Sequence, residues 1–202
     1  MVDVIIVRHG QTRYNKSKAC LGRENVAMTE TGQMDAGRLA MRMKGIYADV
    51  IYSSPLMRAR NTAGPYLGTH GTAKHAKLVV EPALIERDWG EWEGMSLSKI
   101  KNTRPDEYAE FMADWLGYVV PGGESFSEVQ ERVNAFLDRI MPENDGKTVY
   151  LSTHLGTARH IISHLLGLRP EESRLFWMDN ATYTRIEYDN KTKTGTLKCL
   201  GK

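Results

Sequence analysis

A continuous apolar run, Val4-Ile5-Ile6-Val7, delivers the chain into Arg8-His9-Gly10-Gln11-Thr12 without a spacer. Successive side chains of a strand point to opposite faces, so an apolar run without alternation is a strand covered on both sides. Such strands belong to parallel sheets sandwiched between helices, and those sheets gather their chemistry at the carboxyl ends of the strands. The pattern recurs far along the chain, where Thr148-Val149-Tyr150-Leu151 leads through Ser152-Thr153 to His154 and then Gly156. Two strand-end histidines in matching contexts point to one site assembled from distant segments.

The stretches between these strands alternate in kind. Thr29 precedes a helical pattern carrying Met34, Leu39, Ala40 and Met43, after a polar loop through Gly22. Asp49 to Tyr52 reads as a strand, and Ser54-Pro55 as the cap and first turn of a helix that Gly64-Pro65 should kink or end. Lys77 to Val80 reads as a third strand. Residues 96–118 read as two short helices packed loosely, and Gly122-Gly123 closes that insertion. Ser125 with Glu128 forms a capping box for a helix whose Val129, Val133, Phe136, Leu137 and Ile140 share one stripe. A further helix runs from His154 to Leu166, and Thr182 to Glu187 with Thr194 to Leu200 read as an antiparallel hairpin of edge strands. This alternation predicts an α/β fold, a three-layer α/β/α sandwich around a mostly parallel sheet.

At 202 residues one well-buried core suffices, and we expect a single domain over 1–202 with an insertion at about 87–121. A net charge of +2 argues against a nucleic-acid partner. Cys20 and Cys199 read as two ordinary thiols. The apolar start is too short for a signal peptide, and no apolar stretch approaches the roughly 18 residues of a membrane span. The expected compartment is the cytoplasm.

The strand ends carry groups suited to a phosphate dianion. Arg8 and Arg58 offer planar donor forks, and helices opening at His9 and His154 would add unpaired N–H groups. A neutral imidazole attacks phosphorus well, and the phosphohistidine it forms can pass the group on. Glu86, in the loop after the third strand, is the candidate acid for the departing oxygen. Glu91 and Glu93 are alternatives, and Glu93 could equally hold its loop by hydrogen bonds.

Together these segments resemble the histidine phosphatase superfamily, the phosphoglycerate mutase-like family. The Arg-His-Gly motif is matched by Arg8 to Thr12 with Asn15 beyond it, and the Ser-Ser-Pro-Leu-x-Arg-Ala segment by Ser53 to Ala59. Leu84 to Glu86 match Leu-x-Glu, Gly90 to Gly94 match Gly-x-Trp-Glu-Gly, and Gly122 to Ser125 match Gly-Gly-Glu-Ser. Thr153 to Gly156, with Arg159 further on, match the second histidine segment. Leu155 stands where the family usually has glycine, a position used through its backbone N–H. Asn25, Ala27 and Met28 replace the commoner Asp, Pro and Leu. The resemblance implies the phosphoglycerate mutase-like fold with a small helical cap. It makes His9 the phosphorylated nucleophile and Glu86 the proton donor and base. Arg8, Arg58, His154 and the Leu155 N–H bind the phosphoryl group, and Asn15 lines the pocket.

Three functions are compatible: a phosphatase acting on a small phosphorylated metabolite, a cofactor-dependent phosphoglycerate mutase, or a non-catalytic phosphate binder. The complete set of His9, Arg8, Arg58, His154 and Glu86 argues against the binder. The short segment between Glu86 and His154, with acidic Asp106, Glu107, Glu110 and Asp114, argues for the phosphatase, as does the Gly-Gly-Glu-Ser element. Cap residues Trp115 and Tyr118 and the loop around Arg23 are expected to choose the substrate. Trp89 and Trp92 are equally loop anchors or pocket wall. No cofactor or metal is expected. His160 and His164 have a chelating i, i+4 spacing but read as packing, flanked by Ile161, Ile162, Leu165 and Leu166. His70 and His75 read as solvated. The terminal hairpin would offer an edge for pairing into a homodimer.

Overall fold

Apolar pattern and pleat set the layers. In the computed structural model, which describes residues 1–69 and 78–202, β1 (Val2–Arg8) lies inside the sheet. Val2, Val4 and Ile6 pack with one hydrophobic cluster, and Ile5 and Val7 with another on the opposite face. All five are fully buried, each contributing about 2 kcal/mol by the usual transfer values. The remaining strands are β2 (Val50–Ser53), β3 (Leu78–Val80), β4 (Thr148–Thr153), β5 (Tyr183–Asp189) and β6 (Thr194–Cys199), in the order β3-β2-β4-β1-β5-β6. Strands β1 to β4 are mutually parallel, β5 runs antiparallel to β1, and β6 runs antiparallel to β5. Only β6 of the terminal hairpin is an edge, because β5 pairs with β1.

Helices cover both faces, completing the three-layer sandwich. On one side lie α2 (Glu30–Arg42) and α3 (Met57–Thr69), after a short α1 (Arg13–Ser17) inside the stretch expected to be loop. Thr12 caps α1 through a capping box with Asn15. The buried stripe of α2 is Gly32, Ala36, Leu39 and Ala40, continuing to Met43; Met34 is on the solvent side at 55% exposure. Ser54 Oγ accepts the Leu56 N–H, but α3 begins at Met57 and runs through Pro65 rather than ending there. Its inner face explains this. Ala59, Ala63 and Tyr66 are buried, and the Tyr66 hydroxyl donates to Ile46 O (2.9 Å) and accepts from Ala48 N (3.1 Å). Tertiary packing outweighs one missing helical hydrogen bond. His70, His75 and Lys77, the expected start of the third strand, lie outside the described residues.

On the other face are α6 (Phe126–Glu143), with the Ser125–Glu128 capping box, and α7 (Leu155–Leu165). Between β3 and α6 lie α4 (Leu97–Thr103) and α5 (Pro105–Ala113). This insertion is not loose: Trp92, Ile100, Phe111 and Val120 form a third apolar cluster with Cys20. Trp92 is its centre, fully buried with Nε1 donating to Glu107 (3.0 Å), while half-buried Trp89 stacks beside it. Among the described residues no helix is long and apolar enough to cross a membrane.

Candidate active site

Strand register brings the site together. Arg8 pairs with Thr153 across β1 and β4, so His9 and His154 are the next residues on neighbouring parallel strands. Ser53 pairs with Ser152 and with Val80, which sets Ser54 and Glu81 at the same edge. The ladder continues one step past the strands, with His9 N donating to Thr153 O (3.0 Å) and Ser54 N to Ser152 O (2.9 Å). The two imidazoles come within 5.1 Å, centroid to centroid, at 55°.

His9 is 3% exposed, with Nδ1 2.8 Å from the Gly10 carbonyl. A carbonyl only accepts, so Nδ1 carries the proton and Nε2 keeps its lone pair. Burial first, then the charges of Arg58 and Arg8, push the His9 pKa well below 6.5, and the ring is neutral near pH 7. His9 does not open a helix: Gly10, Gln11 and the cap Thr12 stand between it and the five-residue α1. Its backbone is held instead by Thr153, by Asn180, whose Nδ2 donates to His9 O (3.0 Å), and by Ala181 N, which donates to the same carbonyl (3.2 Å).

His154 is the N-cap of α7 and fully buried. Arg58 Nε donates to its Nδ1 (3.2 Å), so Nε2 holds the proton and donates to Ser54 Oγ (2.8 Å). Arg58, near the start of α3, also donates through Nη1 to Glu24 O (2.8 Å) and through Nη2 to Gly22 O (2.7 Å). Burial lowers its pKa to about 10, still cationic at neutral pH. Arg58 and His154 are thus packed behind His9 rather than on the open wall of the cleft.

Arg8 is on that wall. Its Nη1 donates to Met178 O (2.5 Å), whereas Nε is buried without a protein partner, and burial brings its pKa to about 10. An unpaired buried donor on a cation is costly, and an anionic oxygen would satisfy it. The cleft encloses about 650 Å³. Four cations line it, Arg8, Lys18, Arg87 and Arg159, against the carboxylates of Glu86 and Asp179. The excess of positive charge suits an anion.

Glu86 follows a 3₁₀ turn at Pro82–Leu84 and is gripped by the start of α7. Its carboxylate accepts from the backbone N–H of Arg87 (3.0 Å), Gly156 (3.1 Å) and Thr157 (3.2 Å), and from Thr157 Oγ1 (3.3 Å). Glycine at 156 leaves this carboxylate its place, because a Cβ there would lie 2.6 Å from Glu86 Oε1. Leu155 and Asn15 both reach the cleft; Asn15 Oδ1 is taken by Thr12 N and Oγ1 (3.0 Å each) and by Asn180 (3.2 Å). Glu91 pairs outside with Arg104 (2.7 Å), and Glu93 binds backbone N–H groups, so neither lines the cleft.

The substrate-side expectations are corrected in part. Trp115 packs on Phe126, and Tyr118 on Trp92 and Phe111, inside the cap. Arg23 pairs with Glu124 (3.3 Å) and Asp88 (3.6 Å). None of Asp106, Glu107, Glu110 and Asp114 reaches the cleft wall, so none of them contacts a bound group directly. Trp89 does line the cleft, joined by Lys18, Trp177, Asp179 and Asn180, which sequence reasoning missed. No motif spacing marks these; the one available signal was that Trp177 to Asn180 lead directly into a strand beside β1. His160 is buried against the Phe126 ring, and His164 hydrogen-bonds Asp138 (3.1 Å). No cluster of three metal-ligating side chains forms among the described residues.

Known proteins resemble this chain over most of its length. The chain is 30% identical to phosphoserine phosphatase 1 of Hydrogenobacter thermophilus over 191 residues, 95% of this chain and 89% of that one. It is 28% identical to a 2,3-bisphosphoglycerate-dependent phosphoglycerate mutase of Parvibaculum lavamentivorans, covering 96% and 93%. The alpha-ribazole phosphatase of Shigella flexneri superposes with a TM-score of 0.88 at 24% identity, covering 99% and 96%. The profile of the histidine phosphatase superfamily (branch 1) matches residues 4–199, and the chain belongs to that family.

Proposed function

We propose that this chain is a phosphatase that hydrolyses a small phosphomonoester through a phosphohistidine on His9, within one catalytic domain carrying the 87–121 cap. The observation that carries this reading is the bare Nε2 of a neutral His9 beside a cationic cleft that also presents Glu86. Nε2 attacks phosphorus, forming the P–N bond as the ester P–O bond breaks, and Glu86 gives its proton to the departing oxygen. Water then attacks phosphorus, Glu86 takes a proton from it, and the P–N electron pair returns to Nε2. Arg8 and the Leu155 N–H meet the phosphoryl oxygens from the cleft wall, with Asn15 beside them, and Arg58 and His154 support the same charge from behind His9, each turning a donor toward the phosphoryl group as it binds.

The mutase alternative uses the same intermediate. The length of the chain does not separate the two, since the mutase relative aligns over 93% of its own length. The apolar part of the cleft wall, Trp89, Leu97, Phe126 and Trp177, supports hydrolysis of an ester with an apolar body, whereas Lys18, Arg87 and Arg159 on the same cleft would also hold a second anionic group, so the reaction itself is the test. Incubation with 3-phosphoglycerate, with and without 2,3-bisphosphoglycerate, decides between them. Release of inorganic phosphate without isomerisation supports the phosphatase; efficient isomerisation overturns it.

A further inference from the structure

Trp177 is 58% exposed and Leu97 of α4 is 41% exposed, and both line the cleft. The Trp177 ring is held in place: Arg8 and Arg159 lie 5.8 and 5.5 Å from its centroid, and its Nε1 donates to Asp179 (3.0 Å). Leu155, the first residue of α7, adds apolar surface to the same cleft, one residue beyond His154. An ordered, exposed tryptophan beside convergent polar groups is the composition of a small-molecule site.

We propose that the ester substituent of the substrate carries an apolar body seated against Leu97, Leu155 and Trp177. This deepens the phosphatase reading and rests on it for the position of the phosphate. Alkylphosphonates separate the two claims, because they bind without being hydrolysed. Burying one methylene tightens binding by up to about fourfold. Calorimetry should therefore show hexylphosphonate binding at least tenfold more tightly than ethylphosphonate, and Leu97→Ser or Trp177→Ser should each cut that gain at least threefold. Equal affinities, or a gain that both variants retain in full, would overturn the apolar body while leaving His9-dependent hydrolysis of simple esters to stand or fall separately.

A second inference concerns Glu93. Its carboxylate accepts the backbone N–H of Arg23 and that of Glu24 (3.0 Å). The carbonyls on either side of Arg23, Gly22 O and Glu24 O, are the two that hold the Arg58 guanidinium. Arg58 in turn sets the His154 ring. Room for this is made by glycine at 22, where a Cβ would meet Glu93 Oε1 at 2.1 Å.

We infer that Glu93 is a positioning residue that fixes Arg58 through the 22–24 loop. Glu93→Gln leaves one acceptor for two N–H groups and should weaken binding of inorganic phosphate by about tenfold, with the melting temperature checked in parallel. Glu93→Ala, which removes both acceptors, should give at least the same loss. In an Arg58→Ala background the Glu93→Gln effect should vanish, because the link then has nothing to position. An undiminished Glu93→Gln effect in that background, or wild-type phosphate affinity in both single variants, would overturn the role.

Discussion

Arg58 Nε donates to His154 Nδ1 across 3.2 Å, and this one bond decides which nitrogen of His154 carries a proton. An arginine cannot accept, so the proton sits on Nε2, where it is shared with Ser54 Oγ. Strand β4, helix α3 and the segment after β2 are thereby tied into one polar unit beneath His9.

Arg58→Lys keeps the charge but loses the fork that serves three acceptors at once. We expect kcat/KM for an aryl phosphate to fall by about 10²-fold. The loss should appear mainly in kcat, and steady-state kinetics with a folding check by circular dichroism tests it. A variant with wild-type kcat would show that the fork is not needed.

His9→Ala should abolish phosphate release while leaving the melting curve in place. Glu86→Gln should slow turnover most for esters with basic leaving groups, since those depend on proton donation. Comparing an aryl and an alkyl ester in the Glu86→Gln enzyme gives the measurement. Equal slowing of both would move the proton donor elsewhere.

Gly156→Ala places a methyl 2.6 Å from Glu86 Oε1, with no room for the present carboxylate position. Turnover should fall by at least tenfold. Activity at wild-type level would mean that the carboxylate position is not critical.

Acid should destabilise the protein through its buried histidines. His9 and His154 are held well below 6.5 by burial and the neighbouring arginines, and His160 is lowered to about 4, chiefly by burial. The unfolded chain binds these protons first, so stability is full above about pH 6.5 and declines as pH falls toward the folded-state values. His160 alone should account for about 2 kcal/mol between pH 7.5 and pH 5. Urea midpoints at the two pH values, with His160→Gln as comparison, test this; the variant should show a shallower loss. An equal slope in the two proteins would assign the acid sensitivity elsewhere.

Much of this was legible from residues 4–12 and 148–156, because covered strands and their carboxyl ends leave a strong apolar signature. The Ser125 cap and the stripe of α6 were legible for the same local reason. What escaped depends on tertiary partners. Pro65 does not end α3 because Tyr66 anchors it from below. The acids of the cap were expected over the site, yet Asp106 and Glu110 of α5 are exposed away from the cleft and Glu107 turns in to Trp92, and helix orientation is not written in composition. Trp177 and Asn180 enter the cleft only because β5 pairs beside β1, a neighbourhood that no spacing in the chain announces.

The pairing of Arg8 with Thr153 carries a consequence for how the protein matures. The reactive imidazole and its partner come from strands near opposite ends of the chain, so neither local helices nor a half-formed sheet can create the site. Loop closure over so long a segment is slow compared with helix formation. Catalytic competence is therefore expected to follow completion of the central sheet rather than the early gain of helical structure, so that on refolding activity returns after the far-UV signal.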